Sequence, residues 1–439
     1  MFEKYDAYKD SGVEWLGQLP ESWDLLPNKY IFKLKKNLVG KRSKEYELLS
    51  LTLNGVIKRD MENPEGKFPA EFDTYQEVKS GDFIFCHFDV EETPRTVGLS
   101  KFDGMITGAY TVYQVNAEKF CPEFLYYFYL NLDTGKRLKP LYKGLRNTIG
   151  KDIFGEFKTF IPKYSEQVKI SNFLDQKTSE IDQAIAIKDQ QIASLNERKQ
   201  IVIQKAVTQG LDLNVPMKDS GVEWIGQIPE HWEIMKLKYL ISKLESGVSV
   251  NASESESASE KDIGVLKTSA VYKYIFDPNE NKKVFKNEIR RVSCPVKAGS
   301  IIVSRMNAPD LVGASGYVEK DYINLYLPDR LWQARFHTSD VEVPRFVSHI
   351  LVTKGIRSII ESLATGSSPS MKNISKNDFL NIEIPLPPVN EILELNSFIR
   401  DRDFEYIQSI ELFKNQIEKL KEYKTTLIND AVTGKIKVA

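Results

Sequence analysis

"KDSGVEWLGQLPESW" occupies Lys9–Trp23, and "KDSGVEWIGQIPEHW" occupies Lys218–Trp232. The copies lie 209 positions apart (218 − 9), and only Leu16/Ile225, Leu19/Ile228 and Ser22/His231 differ. Composition does not produce such a two-tryptophan phrase twice. The chain reads as a duplication.

A second pair lies further along. "FLDQKTSEIDQAIAIKDQQIASLNERKQIVIQKAVTQG" starts at Phe173 and "FIRDRDFEYIQSIELFKNQIEKLKEYKTTLINDAVTGK" at Phe398, an offset of 225 (398 − 173). Neither contains proline or glycine before its end, which favours one long helix in each half. Apolar residues recur in heptads. Ile181, Leu195 and Val202 take the a positions of the first helix, with Ile185, Ile192 and Ala206 at d. Tyr406, Phe413, Leu420 and Leu427 take a in the second, with Ile410, Ile417 and Ala431 at d. This is a coiled-coil seam. Lys188 at a, and Lys199 and Lys424 at d, interrupt it; such breaks fix register at some cost in stability. A helix packed on a globular core is the simpler alternative for one segment, but two matching helices in one chain favour mutual pairing.

Each helix follows a proline turn, "FIPKYSEQ" from Phe160 and "IPLPPVNE" from Ile384. Between opening phrase and turn lie short β-rich runs such as "GDFIFCHF" and "GSIIVSRM", and helical patterns such as "PEFLYYFYLNL" and "PRFVSHILVTKGIRSIIESL". The fold class is α+β, twice over. Lys79-Ser80-Gly81-Asp82 and Lys297-Ala298-Gly299-Ser300 still correspond at an offset of 218 (297 − 79), but little else between the frames aligns. "NASESESASE" (Asn251–Glu260) has no counterpart and reads as a mobile surface loop.

Composition bounds the function. With 439 residues the chain exceeds one ordinary domain, and 41% hydrophobic with 28% charged residues is a soluble globular balance. No apolar run reaches bilayer length and "MFEKYDAYKD" is no signal peptide, so a cytoplasmic location is expected. Three scattered cysteines provide neither a disulfide framework nor a zinc spacing. The net charge of −1 does not advertise a polyanion partner, but two unopposed basic runs do. One covers Lys29 to Lys44; the other holds Lys136, Arg137, Lys139, Lys143, Arg146 and Lys151.

No catalytic constellation emerges. There is no P-loop, no N-P-P-Y-type methyltransferase motif, and only a loose nuclease-like spacing at Asp152, Glu156 and Lys158. Cys86 and His87 are neighbours on a strand, where side chains point to opposite faces. Four histidines without i, i+4 pairing give no metal site.

The duplicated "SGVEWxGxxPExW", the "IPLPP" turn and the long helix closing in "AVTG" resemble the specificity subunit of type I restriction–modification systems. The resemblance runs the length of the chain. It implies two target recognition domains related by a pseudo-twofold axis, at 1–164 and 211–388, each reading half of a split DNA sequence. Long helices at 165–210 and 389–439 would pair antiparallel as a coiled coil and dock two modification subunits. Restriction subunits would complete the assembly. S-adenosylmethionine, ATP and magnesium would belong to those partners, and this chain would be non-catalytic, with no membrane role. The turn "IPKYSEQ" departs from the double proline of "IPLPPVNE", although its Glu166-Gln167 fits the family better than Asn390-Glu391. The repeated phrase, with Trp15/Trp224 and Trp23/Trp232 as anchors, would mount each domain on the frame.

Base edges are read best by Arg on guanine and by Asn or Gln on adenine. The candidates for reading are His87, Asp89 and Arg95 in the first half, and Arg305, Asn307, Arg330, Gln333 and Arg335 in the second. Lys136, Arg137, Lys139, Lys143 and Arg146, with Lys372 and Asn373, are candidates for gripping phosphates. The rival reading is a non-enzymatic coiled-coil scaffold that joins two protein-binding domains.

Overall fold

The computed structural model describes residues 2–12, 17–60, 71–212, 214–368 and 370–438. Trp15 and Leu16, singled out above, lie outside the described residues. The chain divides into two compact units, Met1–Asp189 with Lys414–Ala439, and Gln190–Phe413. Unit 1 carries α1 (Pro122–Thr134), α2 (Lys151–Glu156) and the first part of α3 (Tyr164–Gln209). Unit 2 carries α4 (Glu342–Leu351), α5 (Lys354–Leu363), α6 (Lys376–Leu380) and the first part of α7 (Val389–Val432). The remainder of α3 belongs to unit 2 and the remainder of α7 to unit 1, so the division cuts both long helices.

The heptad positions account for which faces those helices bury. Ile181, Ile185, Ile192, Leu195, Val202 and Ala206 are all buried or half-buried on α3, as are Tyr406, Ile410, Phe413, Ile417, Leu420, Leu427 and Ala431 on α7. Most residues between them are exposed. In unit 1, Lys424 of α7 donates to Asp182 of α3 at 2.7 Å. In unit 2, Lys199 of α3 pairs with Asp403 of α7 at 3.3 Å. In each unit, therefore, the late part of one helix meets the early part of the other, which is antiparallel pairing. Two of the three lysines that interrupt the apolar seam, Lys199 and Lys424, make these ion pairs.

Each unit is built on a four-stranded antiparallel sheet. In unit 1 the order is Phe32–Lys35, Thr111–Val115, Phe83–Phe85, Val97–Leu99. In unit 2 it is Ile241–Ser246, Leu331–Phe336, Ile301–Ser304, Ser315–Tyr317. Strand alternation sends Phe83, Phe85 and Tyr113 towards α1 and α2, while Ile84 and Val112 pack with Val78 and Ile106. In unit 2, Val303, Trp332 and Ala334 face the helices, while Ile302 and Leu331 face Val296 and Leu325. Both sheets are thus covered on both faces.

Two patterns resolve differently from their sequence reading. "PRFVSHILVTKGIRSIIESL" is two helices, broken where Thr353 turns to an extended conformation. A Cβ on Gly355 would lie 2.5 Å from the Trp224 ring, so the second helix begins where the repeated phrase presses against its backbone. Asn251–Glu260 is a loop, but one tied to a strand at Asn281–Lys283: Ser253 N donates to Lys283 O at 2.8 Å and Lys283 N to Glu256 O at 2.9 Å.

Candidate nucleic-acid interface

The repeated phrase forms a short hairpin in each unit, Lys9 opposite Leu19 and Lys218 opposite Ile228. Its second tryptophan is fully buried in both copies. Trp23 Nε1 donates to Glu166 Oε1 at 3.2 Å, and Trp232 Nε1 to Glu391 Oε2 at 2.8 Å. The carboxylates sit in the first turns of α3 and α7 and are offset by 225 (391 − 166), so Glu166 corresponds to Glu391. Each carboxylate takes a second donor, Tyr5 OH at 2.5 Å in unit 1 and His231 Nε2 at 2.6 Å in unit 2. The Ser22/His231 difference thus has a purpose: the histidine supplies what Tyr5 supplies elsewhere. Burial, with Glu166 alongside, pushes the Tyr5 phenol up.

The end of a long helix closes each bracket. Gly434 (φ 71°) sits so near the phrase that a Cβ there would meet Pro20 Cδ at 2.4 Å. Gly210 (φ 75°), which ends α3, would bring its Cβ to 3.4 Å from Trp232.

At one end of each four-stranded sheet, two loops meet. Ile149 N donates to His87 O at 2.8 Å, and Ile374 N to Arg305 O at 3.0 Å. The acceptors are offset by 218 (305 − 87), as are Lys79–Asp82 and Lys297–Ser300, and the donors by 225 (374 − 149), as are the long helices. The same backbone bond therefore builds the same edge twice, with different side chains around it.

In unit 1 the edge is latched by charge. Arg146 donates through Nε (3.1 Å) and Nη2 to the two oxygens of Asp89, whose carboxyl it holds below its ordinary range. Arg95 and Lys136 converge on the buried carboxylate of Asp133 at 3.5 and 3.0 Å, and Lys136 also donates to Thr93 O. Arg137 donates to Asn429 at 2.7 Å, and Lys139 pairs with Glu91 at 3.1 Å. Lys143 is exposed and, among the described residues, makes no ion pair. His87 lies beneath the edge, stacked on Phe85, and burial lowers its pKa to about 4.

In unit 2 the edge is closed by strand pairing, Met306–Asn307 with Met371–Asn373. This places Lys372 and Asn373 beside Asn307. Asn307 Nδ2 donates to Tyr272 OH and Ser304 Oγ at 2.9 and 3.1 Å, and its carbonyl accepts from Ala308 N. Arg305 Nε donates to Asp329 O at 2.8 Å. Gln333 is buried in the sheet, accepting from Lys297 N and donating to Pro295 O. Arg330 and Arg335 are exposed.

Three of the candidate readers are held within their own unit. His87 and Gln333 are core residues, and the amide of Asn307 is engaged within the edge. Two phosphate candidates, Lys136 and Arg137, pin the loop to its own unit. The residues the sequence reading missed are Asp133, on which two cations converge, and Phe88 with Tyr110, which lie under Arg146. Arg95 lies 38 positions before Asp133, and Phe88 58 (146 − 88) before Arg146, so spacing carries no signal of those contacts; Lys136, three residues from Asp133, is the local exception.

A second duplicated feature flanks the helices. A cleft of about 640 Å³ in unit 1 includes Tyr127, Thr178, Lys424 and Ile428 in its lining. One of about 510 Å³ in unit 2 includes His349, Asp403, Lys199 and Ile203. Thr178/Asp403, Lys199/Lys424 and Ile203/Ile428 correspond at the helix offset of 225. Phe404 and Ile407 are exposed on the wall of the second cleft.

Burial pushes the Cys86 thiol up, and its Sγ donates to Phe88 O. Glu156, of the nuclease-like spacing, pairs with Lys29 at 2.8 Å. No group of three His, Cys, Asp or Glu side chains could hold a metal, and no helix is long and apolar enough to cross a membrane, among the described residues.

No family model matches the chain. The type I restriction enzyme MjaX specificity subunit of Methanocaldococcus jannaschii is 25% identical over 458 residues, covering 100% of this chain and 98% of that protein. Three curated proteins that this chain matches, the MjaX subunit among them, are type I restriction enzyme specificity subunits. The EcoEI specificity subunit of Escherichia coli is 27% identical over 208 residues, 47% of this chain and 34% of that subunit. The match thus spans about a third of the EcoEI protein. A chain from the solved structure "Structural basis underlying complex assembly and conformational transition of the type I R-M system" superposes with a TM-score of 0.64. It covers 94% of this chain and 98% of its own at 13% identity, a likeness of fold.

Proposed function

We propose that this chain is the non-catalytic, DNA-reading subunit of a cytoplasmic type I restriction–modification assembly. Each unit binds one half of a bipartite target through the sheet edge where its two loops meet. The observation that carries this reading is the pair of equivalent edges, joined by the same backbone bond and furnished with different side chains. One frame that presents two unlike surfaces suits two half-sites of unlike sequence. Modification subunits dock against the long helices, and the matching clefts beside those helices support one such partner per unit. Methyl transfer, ATP hydrolysis and their cofactors S-adenosylmethionine, ATP and magnesium reside on the partner subunits.

One observation favours the scaffold alternative: most basic residues at the unit 1 edge are already paired with acids of the same unit. Duplex binding measured against salt decides between them. Phosphate contacts give a log–log slope of about −0.9 per contact, whereas a protein scaffold gives no binding to lose. A full chain, with its modification subunits, that binds no duplex overturns the DNA reading.

A further inference from the structure

The sequence reading gave Arg146 to the phosphates. Its surroundings suit a different task. A guanidinium has five N–H donors in a planar fork. Asp89 takes Nε–H and one Nη2–H, which leaves an outward pair on Nη1 and Nη2. The plane is fixed a second time, because the guanidinium lies over the Phe88 ring at 5.2 Å and Phe88 is stacked on Tyr110 at 6.2 Å. The backbone is fixed as well: Asp89 N donates to Arg146 O at 2.7 Å. Asp89 and Asn147 both take left-handed conformations (φ 46° and 42°), which Asp and Asn tolerate better than most residues. The loop nonetheless projects, with the adjacent Leu145 fully exposed.

A phosphate contact needs charge and tolerates a flexible arm. Arg146 has the opposite specification: its charge is largely offset by Asp89, while its orientation is held by a carboxylate, a ring and a main-chain bond. Such a fork matches the O6 and N7 acceptors of guanine in the major groove. We infer that Arg146, buttressed by Asp89 and Phe88, is a guanine-reading residue of unit 1. The inference rests on the DNA-reading function proposed above and names one base class within it.

The test is selection of bound duplexes from a randomised-sequence library by the full chain with its modification subunits, as wild type, Arg146→Lys, Arg146→Gln and Asp89→Asn. The wild type is expected to select a split motif with a fixed guanine in one half. Arg146→Lys keeps the charge but loses the fork, so preference for that guanine should fall roughly 5- to 150-fold. The other half of the motif should persist. Arg146→Gln should lose the guanine equally, and Asp89→Asn should blur it. If Arg146→Lys keeps the motif while Arg146→Gln weakens all sequences alike, Arg146 is a phosphate contact and the inference fails. It fails too if no variant changes the motif. A wild type that selects no motif at all overturns the underlying DNA-reading function instead.

Discussion

The two edges share one backbone hydrogen bond and little else. In unit 1 the loops are latched by Arg146 on Asp89 and by two cations on Asp133, whereas in unit 2 they zip together as paired strands. The brackets beneath them differ far less: a buried tryptophan, a helix-start glutamate and a close-packed glycine recur in both. Divergence runs through the edges and the sheets behind them, as at Phe83/Ile301 and Phe85/Val303, and is least where a unit is fastened to its helices. The brackets constrain packing, while the edges constrain only the backbone path.

The sharpest attack on that equivalence is to remove the anchors. Trp23→Ala and Trp232→Ala should each cost about 3–5 kcal/mol, the usual loss for a buried indole. Urea unfolding followed by hydrogen exchange reports each unit separately. A large loss in one unit and a negligible one in the other would break the comparison.

His87 is buried in unit 1 and His349 half-buried in unit 2, and burial of the ring lowers both to about 4 from 6.5. Below pH 6.5 the unfolded chain takes up protons that the folded chain refuses until about pH 4. Stability is therefore full above 6.5 and falls as the pH drops through that window, by on the order of 3 kcal/mol for each histidine. Denaturation midpoints measured from pH 7 to 4 should decline, and His87→Gln or His349→Gln should flatten the decline in its own unit.

The smallest effect concerns the seam lysines. Lys424 meets Asp182, but the position equivalent to Asp182 in the other helix is Ile407, and Lys199 instead reaches Asp403, one turn earlier. Burial raises Asp403, so losing its partner leaves a less solvated acid. Lys199→Ala should cost up to about 1 kcal/mol and Lys424→Ala a few tenths, within the range of solvent-screened pairs. Equal losses in thermal melts would show that the different registers carry no energetic difference.

The frame was legible because its constraints are local or periodic. Heptads mark the faces that α3 and α7 bury, and the repeated phrase marks its own hairpin. The edge was half legible. Alignment at offset 218 set His87 beside Arg305, because strand phase survives divergence, but not the loops at Ile149 and Ile374 that meet them. It could not tell that His87 and Gln333 turn inward, since burial of a polar side chain depends on neighbours from other elements. Nor could a basic run reveal which cations are already paired: Arg137 finds Asn429, which lies at the far end of the sequence.

The central claim is that two independent readers share one frame. Exchanging residues 233–383 for the equivalent region of a relative leaves the bracket tryptophan, Glu391 and both long helices in place. Methylated adenines are then mapped in cells that carry the exchanged chain with its modification and restriction subunits. The account predicts a changed half-site on one side of the gap and an unaltered half-site on the other. Alteration of both half-sites, or of neither in an active assembly, would contradict it.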